Sequence, residues 1–235
     1  MNRLTQSTAA AAMLLCTLAA CQEAPPQTGT PTSEPSAAAQ AAPAPAPQAD
    51  ERLVLAFGDS LFAGYGLAPA EGYPERLEAA LRAAGHPVRV HDAGVSGDTT
   101  AAGRQRLAFT LDSLPKKPDL VLLELGGNDL LRGLSPAETR ANLAAMLGEL
   151  QRREIKAVLF GMRAPPNLGA DFVRDFDAAY PALAKEYGAT LVPFFLEPVY
   201  DRPQLIQPDR VHPTAAGIDA LVAHTQGVVA AALAR

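Results

Sequence analysis

A serine, an aspartate and a histidine stand where nucleophilic catalysis would use them. Ser60 lies in Gly58-Asp59-Ser60-Leu61, directly after the apolar run Leu53 to Phe57, and Asp209-Arg210-Val211-His212-Pro213 stands near the other end of the chain. An alcohol becomes a useful nucleophile when an imidazole takes its proton, and the imidazole is held in the right tautomer when a carboxylate accepts its other N–H. In a turn, a spacing of three residues lets Asp209 hold Nδ1–H of His212 and leave Nε2 free to face an alcohol. Pro213 steers His212 out of helical geometry and suits the first turn of a following helix, so the ring is expected at a helix entrance. Each fragment also has an ordinary use: serines after strands cap helices and close turns, and Asp-x-x-His pairs make surface hydrogen bonds.

Acyl transfer further requires N–H donors aimed at the oxyanion that forms when the carbonyl is attacked. Two small, polar segments between the serine and the histidine could supply them, Gly94-Val95-Ser96-Gly97-Asp98-Thr99 and Gly126-Gly127-Asn128-Asp129. The candidate donors are the backbone of Ser60, the backbone of Gly97 and the side-chain amide of Asn128. The same segments would serve as glycine turns in which Ser96, Asp98 or Asp129 caps the next helix. Ser96 is the competing nucleophile and is read mainly as a cap. His86, His91 and His224 have no organised acidic partner in the sequence and are read as bystanders. No metal is expected, because a closed zinc site usually takes four ligands and no further cluster has ligand spacing. No organic cofactor is expected either: Gly64-Tyr65-Gly66 lacks the third glycine of a dinucleotide loop and runs into Pro69.

These residues need a scaffold that gathers them. From Arg52 to Arg235 the chain alternates short strand-like runs with longer helical patterns. The strands are expected at Leu53 to Phe57, Val88 to His91, Leu120 to Leu125, Ala157 to Gly161 and Thr190 to Pro193. Helices are expected near Pro74 to Ala84, Thr99 to Leu114, Pro136 to Arg153, Phe172 to Tyr187 and Thr214 to Ala234. Such alternation predicts right-handed crossovers and a parallel sheet covered on both faces, with functional groups just past the carboxyl ends of the strands. Ser60 and the two glycine-containing segments all fall there.

Upstream of this domain the composition changes. Residues 1–20 have one early positive charge, an apolar and small-residue stretch from Thr8 to Ala20, and then Cys21, a pattern that reads as an export signal because it is too short to cross ~30 Å of hydrocarbon. Leu18-Ala19-Ala20-Cys21 resembles the lipobox of bacterial lipoproteins, which implies a lipid on Cys21 and a membrane anchor facing the periplasm; without lipidation the expectation is a soluble periplasmic protein. Between Gln22 and Asp50, seven Pro and nine Ala among 29 residues, with no aromatic, Leu, Ile, Val or Met, leave nothing to build a core. Residues 21–51 are therefore expected to be a disordered tether, spanning roughly 30 Å as a coil or about 90 Å if extended. The cysteines are Cys16 and Cys21, so the domain at 52–235 is expected to hold no disulfide. A net charge of −5 and no basic cluster argue against nucleic acid as a partner. A monomer is expected.

Taken together, Gly58-Asp59-Ser60-Leu61, Gly97, Gly126-Gly127-Asn128-Asp129 and Asp209-Arg210-Val211-His212-Pro213 resemble blocks I, II, III and V of the SGNH (GDSL) hydrolases. Leu123-Glu124-Leu125 before the third block, Tyr180-Pro181-Ala182-Leu183-Ala184-Lys185-Glu186-Tyr187, and Pro193-Phe194-Phe195-Leu196-Glu197-Pro198-Val199-Tyr200 are similar to the thioesterase I, lysophospholipase L1 and arylesterase branch. The resemblance implies a flavodoxin-like, three-layer α/β fold with five parallel strands. It also implies Ser60 as nucleophile, His212 as base, Asp209 as its orienting carboxylate, and Ser60, Gly97 and Asn128 as oxyanion hole. The implied substrates are small acyl esters, thioesters or lysophospholipids, bound along apolar loops for which Leu130 to Leu134 and Ala164 to Gly169 are the candidates. A carbohydrate O-acetyl esterase of the same fold, or a binding module without activity, are the alternatives. The Gly-x-Ser-x-Gly elbow of α/β-hydrolases is absent.

Overall fold

The computed structural model describes residues 51–235. The expected signal at 1–20, Cys21 and the tether up to residue 50 lie outside the described residues.

Five strands form one sheet: β1 Arg52–Gly58, β2 Val88–Gly94, β3 Leu120–Glu124, β4 Lys156–Phe160 and β5 Thr190–Val192. All neighbours are parallel and the order is β2-β1-β3-β4-β5. The apolar runs explain which strands are central: β3, Leu-Val-Leu-Leu-Glu, is buried at every position, and β1 is buried at all but Arg52. A strand covered above, below and on both edges has no use for alternating polarity. Order reverses between β1 and β3, and in such sheets the crevice at the carboxyl ends beside that switch is where ligands bind. Ser60 leaves β1 at that point.

Among the described residues six α-helices accompany the sheet: α1 Tyr73–Ala83, α2 Thr100–Ser113, α3 Gly127–Leu131, α4 Pro136–Arg152, α5 Ala170–Tyr187 and, after the last strand, α6 Ala215–Ala234. α1 packs on α6, while α4 packs between α2 and α5, giving two helical layers around the sheet. Local sequence sets the starts. Ser135 and Glu138 form a reciprocal capping box with Pro136 in the first turn of α4. Thr99 accepts from Ala102 N at the start of α2, and Thr214 from Gly217 N at the start of α6. α6 is long and apolar enough to cross a membrane, yet Ile218, Leu221, Val222, Val229 and Leu233 are buried against the domain. It is a core helix.

Two elements differ from expectation. β2 continues to Gly94, three residues past His91, because β1 offers partners as far as Gly58 and its backbone pairing outweighs the polar, small side chains of Asp92 to Gly94. The segment Gly127–Leu131, read as a turn, is a short helix, entered through Gly126 at φ +120°. A Cβ at Gly126 would lie 2.1 Å from Tyr180 Oη, so the turn closes only because this residue is glycine. Beneath the turn that carries Ser60, Phe62 stacks on Tyr73 at 4.9 Å and meets Phe160 and Phe195 edge-on at 5.5 and 5.8 Å. Such pairs contribute about 0.5–1.5 kcal/mol each beyond area burial, which seats the turn on a rigid base.

Candidate active site

The turn after β1 is held by its own short-range bonds. Asp59 Oδ1 accepts from Leu61 N at 3.0 Å and Asp59 O accepts from Ala63 N at 3.0 Å, leaving the Ser60 hydroxyl facing outward at the sheet's carboxyl end. On the opposite side, the segment before α6 folds back as a small loop. Gln207 N donates to His212 O at 2.7 Å, Thr214 N donates to Leu205 O at 2.8 Å, and Arg210 takes a left-handed φ of +63° to turn the chain. Asp209 fills the loop: its Oδ1 accepts from Val211 N at 2.9 Å and His212 N at 3.0 Å, and its Oδ2 meets His212 Nδ1 at 2.7 Å. His212 Nε2 lies 2.8 Å from Ser60 Oγ. Residues 60 and 212, separated by most of the chain, thus form one continuous hydrogen-bonded line with residue 209.

Electrostatics suit that line. The backbone N–H of His212, then its imidazole, then the N–H of Val211 hold the Asp209 carboxyl down to about 2. Asp209 is therefore an acceptor throughout the neutral range, which fixes the proton of His212 on Nδ1 and exposes the Nε2 lone pair to the serine hydroxyl.

Ser60, Gly97, Asn128 and His212 line one cleft of about 530 Å³. Gly97 has φ +87° and its carbonyl is drawn away by Arg132 Nη2 at 2.7 Å. Asn128 Nδ2 donates one proton to Asp59 Oδ2 at 2.9 Å, which orients the amide. Leu130, Leu131 and Pro165 line the cleft as expected of the two candidate loops, whereas Pro166 and Leu168 are not among its lining residues. Much of the apolar wall comes from positions outside the two candidate loops, including Met162, Phe194, Leu196, Val199, Tyr200 and Ile206. The Pro193 to Tyr200 string carried that signal: a run of large apolar residues after the last strand with no helix to bury it.

The expected capping roles of Ser96, Asp98 and Asp129 need correction. Thr99, not Ser96, caps α2, and Ser96 lines the cleft. Asp98 pairs with Arg106 Nε at 2.6 Å. Asp129 is buried and accepts from Thr100 N at 2.8 Å and Thr139 Oγ1 at 3.0 Å, tying α3 to α2 and α4. Helix starts here are served by residues already in extended geometry, and Ser96 lies too far upstream of α2 for that. Among the bystander histidines, His224 lies on α6 with Nε2 3.8 Å from Glu197. Among the described residues, no group of three or more His, Cys, Asp or Glu is arranged to hold a metal ion.

Sequence reading missed Tyr65 and Gln207. The Tyr65 ring covers the imidazole, with centroids 4.4 Å apart and a 32° tilt, and Gln207 Nε2 donates to Tyr65 O at 2.8 Å and Pro213 O at 2.9 Å. One amide thereby staples the loop after Ser60 to the loop that carries His212. An aromatic face at this distance attracts a cationic imidazolium. Tyr65→Ala should lower kcat by about two- to fivefold, the size of an exposed cation–π contact, while Tyr65→Phe keeps it; steady-state ester hydrolysis by the two variants checks this.

Comparison with known proteins gives the family. Residues 56–220 match the model of the GDSL-like Lipase/Acylhydrolase family. The chain belongs to this family. The match to the GDSL-like family runs from within β1 into α6 and so spans Ser60 and the Asp209–His212 loop. Esterase TesA of Pseudomonas aeruginosa is 40% identical over 169 residues, covering 72% of this chain and 83% of its own. Thioesterase 1/protease 1/lysophospholipase L1 of Escherichia coli K12 is 39% identical over 165 residues, covering 70% and 76%. The crystal structure of AlinE4, a SGNH-hydrolase family esterase, superposes with a TM-score of 0.68 at 63% identity, over 79% of this chain and 98% of that one. As a member of this family the chain is a hydrolase of the lipase/acylhydrolase type.

Proposed function

We propose that the chain hydrolyses carboxylic esters and thioesters in two acyl-transfer steps on Ser60. Oγ attacks the acyl carbonyl carbon while its proton passes to His212 Nε2, and Asp209 stabilises the imidazolium. The tetrahedral oxyanion is held by the N–H groups of Ser60 and Gly97 and the amide of Asn128. As the oxyanion collapses, the bond to the alcohol or thiol breaks and the leaving group takes the proton from His212. Water then repeats the sequence on the acyl-enzyme, frees the acid and restores Ser60. The observation that carries this reading is the unbroken line from Ser60 Oγ to His212 at 2.8 Å and from His212 to Asp209 at 2.7 Å.

The cleft wall favours acyl chains over sugars, since Leu130, Leu131, Phe194 and Val199 offer contact area and few hydrogen-bond partners. The test is hydrolysis of p-nitrophenyl esters graded from acetyl to palmitoyl, with an acyl-CoA and lysophosphatidylcholine alongside. Activity that persists or rises beyond acetyl supports the reading; strict acetyl preference would move the assignment to a carbohydrate O-acetyl esterase.

The catalytic domain occupies 52–235 in this account, preceded by an export signal at 1–20 and a tether at 21–51 that a lipid on Cys21 fixes to the membrane. Cys21→Ser should move the activity from the membrane fraction to the soluble periplasmic fraction or stall processing of the leader. Unchanged membrane retention of that variant contradicts the anchor.

A further inference from the structure

Under the nucleophile turn lie two acidic side chains, Asp59 and Glu124, and Glu124 has no task in the mechanism above. Asp59 follows β1 and is 2% exposed; Glu124 ends β3 and is fully buried. Asp59 N donates to Glu124 Oε2 at 3.2 Å, which sets the two acidic residues side by side in the interior. Gly58 leaves the room for this: a Cβ there would lie 2.7 Å from Glu124 Oε2. The donors around the pair are unequally shared. Asp59 accepts from Leu61 N at 3.0 Å and from Asn128 Nδ2 at 2.9 Å. Glu124 Oε1, by contrast, is buried and no described N–H or O–H group donates to it.

A buried carboxylate oxygen with no donor, set against a second carboxylate, is doubly unfavourable. One proton relieves both faults. Placed on Glu124, it turns the orphaned acceptor into a donor and adds a bond to the carboxylate of Asp59, which already has two others. Burial foremost, and the charge of Asp59 second, push the Glu124 carboxyl well up from its ordinary range. Burial also raises Asp59, but the bonds from Leu61, Asn128 and Glu124 and the nearby His212 all oppose it. The other titratable groups whose fields reach the pair come from α1 and α5, namely Tyr73 and Tyr180, both buried and pushed upward. From α2, Arg106 spends its guanidinium on Asp98 at 2.6 Å and Gly58 O at 2.9 Å. Asp129 of α3 is occupied by Thr100 and Thr139.

We propose that Glu124 is a positioning residue held as a neutral carboxylic acid, whose O–H donates to Asp59 and so fixes the acceptor that turns the Asn128 amide toward the oxyanion. The proton stays within the pair through the catalytic cycle, and no bond to substrate is made. Because Asp59 Oδ2 engages one N–H of Asn128, the second N–H is left for the cleft that Asn128 lines. This inference rests on the oxyanion role proposed for Asn128.

Two readouts on the full chain test it. With isotope-labelled glutamate, the infrared difference between wild type and E124Q at neutral pH should show a carboxylic-acid carbonyl band in the wild type alone. Only carboxylate bands at that position would overturn the proposal, whatever the activity. In ester hydrolysis, E124Q replaces the acid by an amide that both donates and accepts, and should keep kcat within about threefold. E124L removes donor and acceptor together and should lower kcat by about 10²-fold at unchanged KM, as misplacement of an oxyanion donor does. A folded E124Q as impaired as E124L, or a fully active E124L, would overturn it; should E124Q not fold, the wild-type band compared with E124L decides. If Asn128→Ala leaves kcat untouched while the acid band is present, the oxyanion assignment has failed and the protonated Glu124 has not.

Discussion

Replacing Ser60 by alanine should lower kcat for ester hydrolysis by about 10⁴-fold or more, while the protein stays folded. The size follows from chemistry: without Oγ there is no acyl-enzyme, and His212 and Asp209 are left with nothing to activate except water. Stability should scarcely change, because the Ser60 side chain bonds to His212 alone among its recorded partners. The turn is carried instead by Asp59 and by Phe62 in the aromatic cluster. Thermal unfolding measured beside kcat separates the two effects. An unaltered Tm with activity at the wild-type level would remove Ser60 from the mechanism and bring Ser96, which also lines the cleft, into consideration.

Asn128→Ala carries the second large effect, a fall in kcat of about 10²- to 10³-fold with KM nearly constant. An oxyanion exists only after the carbonyl is attacked, so a donor aimed at it strengthens transition-state binding more than substrate binding. Loss of the side chain also removes the bond to Asp59 Oδ2, while Leu61 N still donates to Asp59 Oδ1. Asn128→Asp should do no better than alanine. It would set a third carboxylate against Asp59 and Glu124, where one proton already serves two groups. Steady-state kinetics on a p-nitrophenyl ester resolve kcat from KM for both variants. A rise in KM with kcat preserved would instead make Asn128 a substrate-binding group.

What could be read from sequence was what is written in short segments. The strand runs of β1, β3 and β4 are apolar over four or more residues, and the fold brings the Ser60 and Asp209 to His212 fragments, read by type and spacing, within hydrogen-bonding distance. The sheet that brings them together follows from the alternation of strands and helices. What escaped depends on partners far apart in the chain. Gln207 meets Tyr65 across 142 residues, and Asn128 meets Asp59 across 69. No local pattern marks either pair. The extension of β2 to Gly94 was hidden because it is set by the edge of β1 rather than by its own side chains. The α3 helix was hidden because glycine and asparagine disfavour helices in isolation, and its helical turn is fixed by Asp129 anchored to Thr100 and Thr139. Glu124, a charge at the end of an otherwise apolar strand, was not singled out as a functional residue in the sequence. That contrast is the signal by which a buried acid that must pair or stay neutral could have been found.

The claim on which the rest depends is that Ser60 is the atom donor that carries the acyl group. Treating the full chain with a fluorophosphonate and mapping the adduct by peptide mass spectrometry addresses it directly. The account predicts one phosphonyl group, on the peptide containing Ser60, with hydrolysis lost in step with labelling and no adduct on Ser60→Ala. An adduct on Ser96, or a folded and hydrolytically active protein that takes no label, would contradict it.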